Sequence, residues 1–194
     1  MLLKKLLSSG ARWHKAAEEK NLSLRVMFQD EARFGRINDP KRCWCRAGFR
    51  AEVGQQMVRE YVYAYGAFSP KDGVADFLIL PSMDTQNMNI FLAELSSRHV
   101  NEFILLVCDK APCHSIGTLT MPENIKLLYL PPYCPQLNPS ENMWEEIREK
   151  FFTNLVFDSI DAVMDKLEEA MIFYAKNEEI VKSVTGFNWI VTHV

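Results

Sequence analysis

The stretch Leu130-Pro-Pro-Tyr-Cys-Pro-Gln-Leu-Asn-Pro-Ser-Glu-Asn-Met-Trp144 decides how this chain is read. Its prolines, Pro131, Pro132, Pro135 and Pro139, fix φ and remove backbone donors, so the segment is neither a regular helix nor a central strand. It reads as the end of a buried strand, a rigid loop, and a helix with Asn138 as N-cap and Pro139 at the first helical position. Glu141 falls three residues after that cap, a carboxylate on a firmly held helix start. Working outward, two more acids close apolar runs. Asp30 follows Leu24-Arg-Val-Met-Phe-Gln29, and Asp109 follows Phe103-Ile-Leu-Leu-Val-Cys108.

The run 103–108 is continuously apolar, as a central strand covered on both faces requires. The alternating run 24–29 predicts a first strand ending at Asp30. The aromatic and β-branched run 61–68 and the segment 74–80 predict a hairpin around the turn residues Ser69-Pro-Lys-Asp-Gly73. Asp84 predicts the N-cap of a helix carrying Met88, Phe91, Leu92 and Leu95 at helical spacing. Residues 125–130 supply a further strand. A helix is expected from 139 to about 152, and a last one from a cap at Asp158 or Ser159 to about 175. Residues 1–20 read as a helical lead-in with no clear core face, 41–50 as a strand or hairpin limited by Pro40 and Gly48, and 112–118 as a short helix. The expected fold class is α/β: a mixed five-stranded sheet flanked by helices, forming one domain over 21–194. If the first and fourth strands are neighbours, Asp30 and Asp109 meet at one sheet edge, and the helix after the fifth strand aims Glu141 at the same point.

Composition narrows the function classes. The chain is 48% hydrophobic and 24% charged, with a net charge of −3, the profile of a globular domain. No apolar run approaches the roughly 20 residues of a membrane span. Met1–Leu7 lacks the long apolar region and cleavage site of a signal peptide. The five cysteines, 43, 45, 108, 113 and 134, are an odd and irregular set that fits reduced thiols in the cytoplasm. Cys43-x-Cys45 with Cys113-His114 matches no finger or ribbon spacing for zinc. Charge is unevenly distributed. Arg33, Arg36, Lys41, Arg42, Arg46 and Arg50 crowd one segment against one acid, Asp39, with Trp44 and Phe49 among them. That mixture suits a polyanion, and equally a solvated arginine-rich hairpin.

Three blocks give the chain a family resemblance: Phe28-Gln-Asp-Glu-Ala-Arg-Phe-Gly35, Leu106-Val-Cys-Asp-Lys-Ala-Pro-Cys-His114, and the proline-rich block 130–144. Together they resemble the catalytic domain of DDE transposases, specifically the mariner-like insertion-sequence group. The resemblance covers roughly residues 24–152 and implies a ribonuclease H-like, integrase-related fold. It implies that Asp30, Asp109 and Glu141 are the catalytic and metal-binding triad for two Mg²⁺ ions, with Mn²⁺ as substitute. Such ions, about 3.5–4 Å apart, stabilise the attacking and leaving oxygens of a phosphodiester. It also implies supporting roles for His114, Lys110 and Asn138, and DNA contacts from Arg33, Arg36, Lys41, Arg42, Arg46, Arg50 and Trp44. The implied activity is cleavage at transposon ends and strand transfer into target DNA. The implied partners are those DNAs, a second copy in a homodimer, and a separate helix-turn-helix subunit, since about twenty residues precede the first strand. The implied location is the nucleoid of a prokaryotic cytoplasm, with no membrane.

Two departures bear on activity. Lys110 stands where the family usually carries Asn, and 32 positions separate Asp109 from Glu141, a shorter span than is typical. Each acid also has a purely structural reading. A strand-terminal aspartate caps loop donors, and Glu141 with Asn138 resembles a capping box. Trp44 and Trp144 read as core residues more readily than as base-stacking ones, and Glu145 lies one turn after Glu141. The alternative to an active transposase domain is a decayed or non-catalytic domain of the same fold, acting in DNA binding or oligomerisation. A ribonuclease H fits less well, because its extra acid is not evident in 84–100.

Overall fold

A computed structural model describes residues 2–111, 119–132 and 134–191. The 112–118 expectation, together with His114 and Cys113, lies outside the described residues. Among the described residues five strands form one sheet: β1 (Ser23–Ile37), β2 (Met57–Phe68), β3 (Ala75–Leu80), β4 (Glu102–Cys108) and β5 (Ile125–Tyr129). Their order is β3-β2-β1-β4-β5. The first three are antiparallel, whereas β4 and β5 run parallel to β1. The helices are α1 (Leu2–Glu18), α2 (Thr85–Arg98), α3 (Ser140–Ile147), α4 (Ile160–Ala175), α5 (Glu178–Thr185) and α6 (Asn188–Val191), and a π-helical turn (Arg148–Phe152) continues α3.

The alternation of each strand assigns the two faces of the sheet. Met27, Tyr65, Ala67, Ile104, Leu106 and Cys108 point to one face and pack on the α2 residues Met88, Phe91, Leu92 and Leu95. The opposite face divides in two. Val26, Phe28, Leu105 and Val107 pack with Trp13 and Ala17 of α1. Ala32, Phe34, Ala64 and Phe68 pack under α3, α4 and α5. The run 103–108 is thus buried on both faces, as its composition requires. The caps also form. Asp84 accepts from the Asn87 amide at 2.8 Å and Ser159 from the Ala162 amide at 3.1 Å, each satisfying an otherwise unpaired helix donor.

Several expectations are corrected. The first strand does not stop at Asp30 but runs to Ile37, because β2 continues to pair with it as far as Ile37↔Met57. The segment 41–50 forms no strand. Every residue of 41–50 is exposed, and Gly48 turns the chain with φ +87°, so no apolar row exists to hold the segment against the sheet. Only the base of this loop is pinned: Gln56 N donates to Asn38 Oδ1 at 2.7 Å, and Lys41 N to Asn154 Oδ1 at 2.8 Å. The lead-in helix does have a core face, with Trp13 and Ala17 buried one turn apart. The α-helix expected over 139–152 becomes π-helical at Arg148. After Ala175, α5 and α6 close the fold over segments whose short apolar content gave no long periodic signal.

Gly66 shows how tightly the central layer is set. It pairs with Asp30 across β1 and β2, and a Cβ there would stand 2.7 Å from Trp144 Cη2 and 2.7 Å from Phe68 Cζ. Both rings are fully buried and have no free direction in which to move. Gly66→Ala is expected to cost about 1–3 kcal/mol, the usual range for overpacking a core. Thermal unfolding reads that as a fall in Tm of roughly 2–4 °C per kcal/mol for a chain of this size.

Candidate active site

The difference in length between β1 and β4 creates the site. Their last paired residues are Phe28 and Val107, and β4 ends one residue later at Cys108. Asp30 and Asp109 are each two residues beyond that pair, so they emerge together where β4 leaves the sheet. Beyond this point β1 has a free edge on the β4 side, whose polar groups need partners. The helix start after the proline loop provides them. Asn138 Nδ2 donates to the Gln29 carbonyl at 3.1 Å, and Ser140 Oγ donates to the Phe28 carbonyl at 3.0 Å. Asn138 Oδ1 meanwhile accepts from the Ser140 amide at 3.2 Å. Pro139, not Asn138, holds the cap position of α3, one residue later than the sequence reading put it; Asn138 satisfies the Ser140 amide from just before it and fastens α3 to β1.

That fastening brings the three acids together. Asp30, Asp109 and Glu141 line one cavity of about 410 Å³, with Lys110, Cys134 and Asn138 on its walls. The three come from separate segments, and each is held differently. Asp30 is partly buried, and its Oδ2 accepts from Trp144 Nε1 at 3.1 Å. Asp109 is exposed, and its Oδ1 accepts from the Ala111 amide at 2.8 Å. The loop-capping reading of Asp109 is thus correct as well. Glu141 is exposed, and its side chain makes no hydrogen bond among the described residues. The capping-box reading of Glu141 does not hold, and its carboxylate is free to face the cavity. Among the described residues no three His, Cys, Asp or Glu side chains stand close enough to enclose an ion as they are. What the cavity collects is a donor set of hard carboxylate oxygens, the chemistry that Mg²⁺ and Mn²⁺ take.

The three acids also act on one another electrostatically. Burial pushes the Asp30 carboxyl up to about 8, with the negative charges of Glu141, Glu31 and Asp109 adding to the effect. Desolvation and like charge both oppose ionisation. Lys110 reaches the cavity wall but stays exposed.

The remaining expected site residues fall into distinct groups. Trp44 is fully exposed at 103% and is not core, while Trp144 is buried at 1%. Lys41, Arg42, Arg46 and Arg50 are exposed on the loop after β1, and Arg33 is exposed on β1. Arg36 is engaged within the fold: its Nε donates to the Phe157 carbonyl at 2.9 Å and its Nη1 to Glu60 at 2.7 Å. Sequence reasoning missed two residues of the site, Ser140 and Trp144. The signal was available in their spacing, since Trp144 follows Glu141 by three positions and lies on a neighbouring part of the helix face.

The raised Asp30 pKa has a definite sign. Its folded value lies above the unfolded value of 3.8, so the folded state holds the proton more tightly. Asp30's own contribution to stability is therefore most favourable at acid pH and is lost as pH rises from 3.8 to about 8. Asp30→Asn removes the titration and keeps an oxygen for Trp144. It is expected to raise Tm by several degrees at pH 8.5 and by less at pH 5.5, measured by thermal unfolding without divalent cations.

The chain is similar to known proteins in sequence and in fold. Residues 25–164 match the family model of the DDE superfamily endonucleases. A curated relative, the uncharacterized protein y4pE/y4sA of Sinorhizobium fredii, is 37% identical over 106 residues, which cover 54% of this chain and 78% of the relative. Among solved structures, a Mos1 transposase paired-end complex with the left transposon end superposes with a TM-score of 0.59 at 15% identity. This match covers 98% of this chain and 62% of the Mos1 chain, so the chain spans about three fifths of that protein. The catalytic domain of Mos1 mariner transposase superposes with a TM-score of 0.51 at 13% identity, covering 98% of this chain and 93% of that domain. The fold is thus the ribonuclease H-like one of the mariner transposase catalytic domain, and with the family model matched over most of its length the chain belongs to the DDE superfamily endonucleases.

Proposed function

We propose that this chain is a transposase catalytic domain that cuts DNA at transposon ends and joins the freed 3′ ends to target DNA. Asp30, Asp109 and Glu141 are its catalytic, metal-binding carboxylates. One observation carries the reading: three acids from three distant segments line a single cavity at the sheet edge. Two Mg²⁺ ions, replaceable by Mn²⁺, supply when bound the positive charge that a phosphodiester needs at its attacking and leaving oxygens. The chain's own residues do the rest. Trp144 and Asn138 fix the Asp30 side of the cavity, and the Ala111 amide orients Asp109. Lys110 offers its ammonium to the scissile phosphate from the same wall, and His114, which follows in the family block, serves as a supporting group. The exposed Arg33, Lys41, Arg42, Arg46, Arg50 and Trp44 hold DNA outside the cavity; Arg36 backs them from within the fold. Solved Mos1 complexes carry transposon-end DNA, and paired-end complexes of that protein have been obtained with Mn and with Mg. A homodimer brings two ends together, and a helix-turn-helix subunit supplies end recognition. The nucleoid of a prokaryotic cytoplasm is where such substrates lie.

Lys110 favours a second reading, a domain that keeps DNA binding or oligomerisation after losing chemistry, because its charge competes with cations for the three acids. Both readings are open to one assay: nicking of transposon-end duplexes in Mg²⁺ or Mn²⁺ with the DNA-binding partner supplied. Asp109→Asn and Glu141→Gln are each expected to lower the rate on the order of 10³-fold or more, several kcal/mol of lost charge stabilisation. Full cutting by either variant removes that residue from the triad. Cutting that appears only in Lys110→Asn favours the second reading.

A further inference from the structure

At the end of the sheet away from the acid cavity, where β4 begins, lies a compact network of charges that the proposed chemistry does not use. His99 is the C-terminal cap of α2, where the carbonyls of the last turn favour a positive charge. Its ring stands between two carboxylates. Nδ1 lies 2.6 Å from Glu102 Oε2 at the start of β4, and Nε2 lies 2.8 Å from Asp76 Oδ2 on β3. The His99 and Asp76 side chains are only 10% and 12% exposed, so little water reaches the contact. A neutral imidazole has a single N–H and can donate to one of these acids, whereas the imidazolium donates to both. The Asp76 carboxylate, with Glu102 adding to it, accordingly raises the His99 pKa above its ordinary 6.5 against the opposing effect of burial.

The two acids are not held alike. Glu102 accepts from Arg25 Nε at 2.6 Å and from Arg25 Nη2 at 2.8 Å, and the same guanidinium reaches Asp72 in the β2–β3 turn. The backbone of this corner is fixed as well, since Asn124 Nδ2 donates to the carbonyls of His99 at 3.0 Å and Glu102 at 3.2 Å. On the other side, Arg98 Nη1 divides itself between Asp76 at 3.2 Å and the Phe77 carbonyl at 3.4 Å, and Arg98 Nε is taken by the exposed Glu94. β3 is an edge strand that pairs with β2 alone. A deprotonating ring therefore keeps its Nδ1 proton on the firmly held Glu102 and gives up the one on Nε2. The bare Nε2 lone pair then faces the Asp76 carboxylate, and repulsion replaces an ion pair on the weaker side.

We propose that His99 is a pH-operated latch: protonated, it ties the edge strand β3 to the corner between α2 and β4, and on losing its Nε2 proton to solvent it releases that strand. The device is independent of the catalytic reading. Because the folded pKa lies above the unfolded 6.5, the latch's contribution to stability is complete below pH 6.5 and is lost as pH rises through the folded value.

The test is made on the full chain by NMR titration of the histidine rings and by amide hydrogen exchange, each rate expressed as protection relative to the intrinsic rate at that pH. The variants are His99→Gln, which also identifies the His99 signals, and Asp76→Asn, which removes the acid facing Nε2. The His99 midpoint is expected above 6.5, and Asp76→Asn is expected to lower it. Between pH 6.0 and 9.0 the protection of β3 amides is expected to fall about ten-fold more than that of β4, and the difference is expected to vanish in His99→Gln. Should His99→Gln not fold, Asp76→Asn decides the matter: the β3-specific fall is lost there, and a fall as large as in the wild type overturns the latch. A His99 midpoint at or below 6.5, or β3 protection that stays level while His99 titrates, also overturns it. So does a loss shared equally by β3 and β4, which marks the effect of Asp30 on the whole fold instead.

Discussion

The structure depends on one mismatch: β1 is 15 residues long and its parallel neighbour β4 only 7. An open edge in the middle of a sheet leaves backbone groups without partners, which costs free energy unless something fills the gap. Here the proline-bounded start of α3 fills it, through Asn138 and Ser140 on the carbonyls of Gln29 and Phe28. The same contact that satisfies the edge positions Glu141 opposite Asp30 and Asp109. Fold and site share a single cause. The Trp144 ring extends this logic inward, packing against Phe34, Phe68 and Phe77 while its Nε1 reaches Asp30. Gly66, bare of a side chain, leaves room for that ring beneath the acid.

Charge is arranged in two adjoining fields. The acid cavity holds three carboxylates, and burial, with the negative charges of its neighbours adding to it, pushes the Asp30 carboxyl up. The adjoining cavity is lined by arginine and lysine, and the loop beyond it carries further exposed cations. The net charge of −3 hides this partition.

What could be read from the sequence follows from how local each cause is. The 103–108 strand, the Asp84 and Ser159 caps and the proline-bounded helix start were legible because side-chain periodicity, caps and proline stereochemistry act over a few residues. The convergence of Asp30, Asp109 and Glu141 was legible because acids closing apolar runs leave few places to meet in a mixed sheet. The true end of β1 was not, since Glu31 to Ile37 is held by pairing with β2, a partner at least twenty residues away in the chain. The basic segment 41–50 misled for the opposite reason: its aromatic residues suggested a strand, yet no partner row exists and all its side chains face solvent. The core face of α1 rests on Trp13 and Ala17 alone, too sparse a stripe to stand out.

The central claim is that the cavity at the end of β4 is a divalent-cation site made by the three acids. Calorimetric titration of Mn²⁺ into the wild-type chain and into Asp109→Asn, at pH 8.5 where Asp30 can give up its proton, tests it most directly. Binding by the wild type and its loss in a variant that remains folded are expected. Equal Mn²⁺ binding by both chains would contradict it.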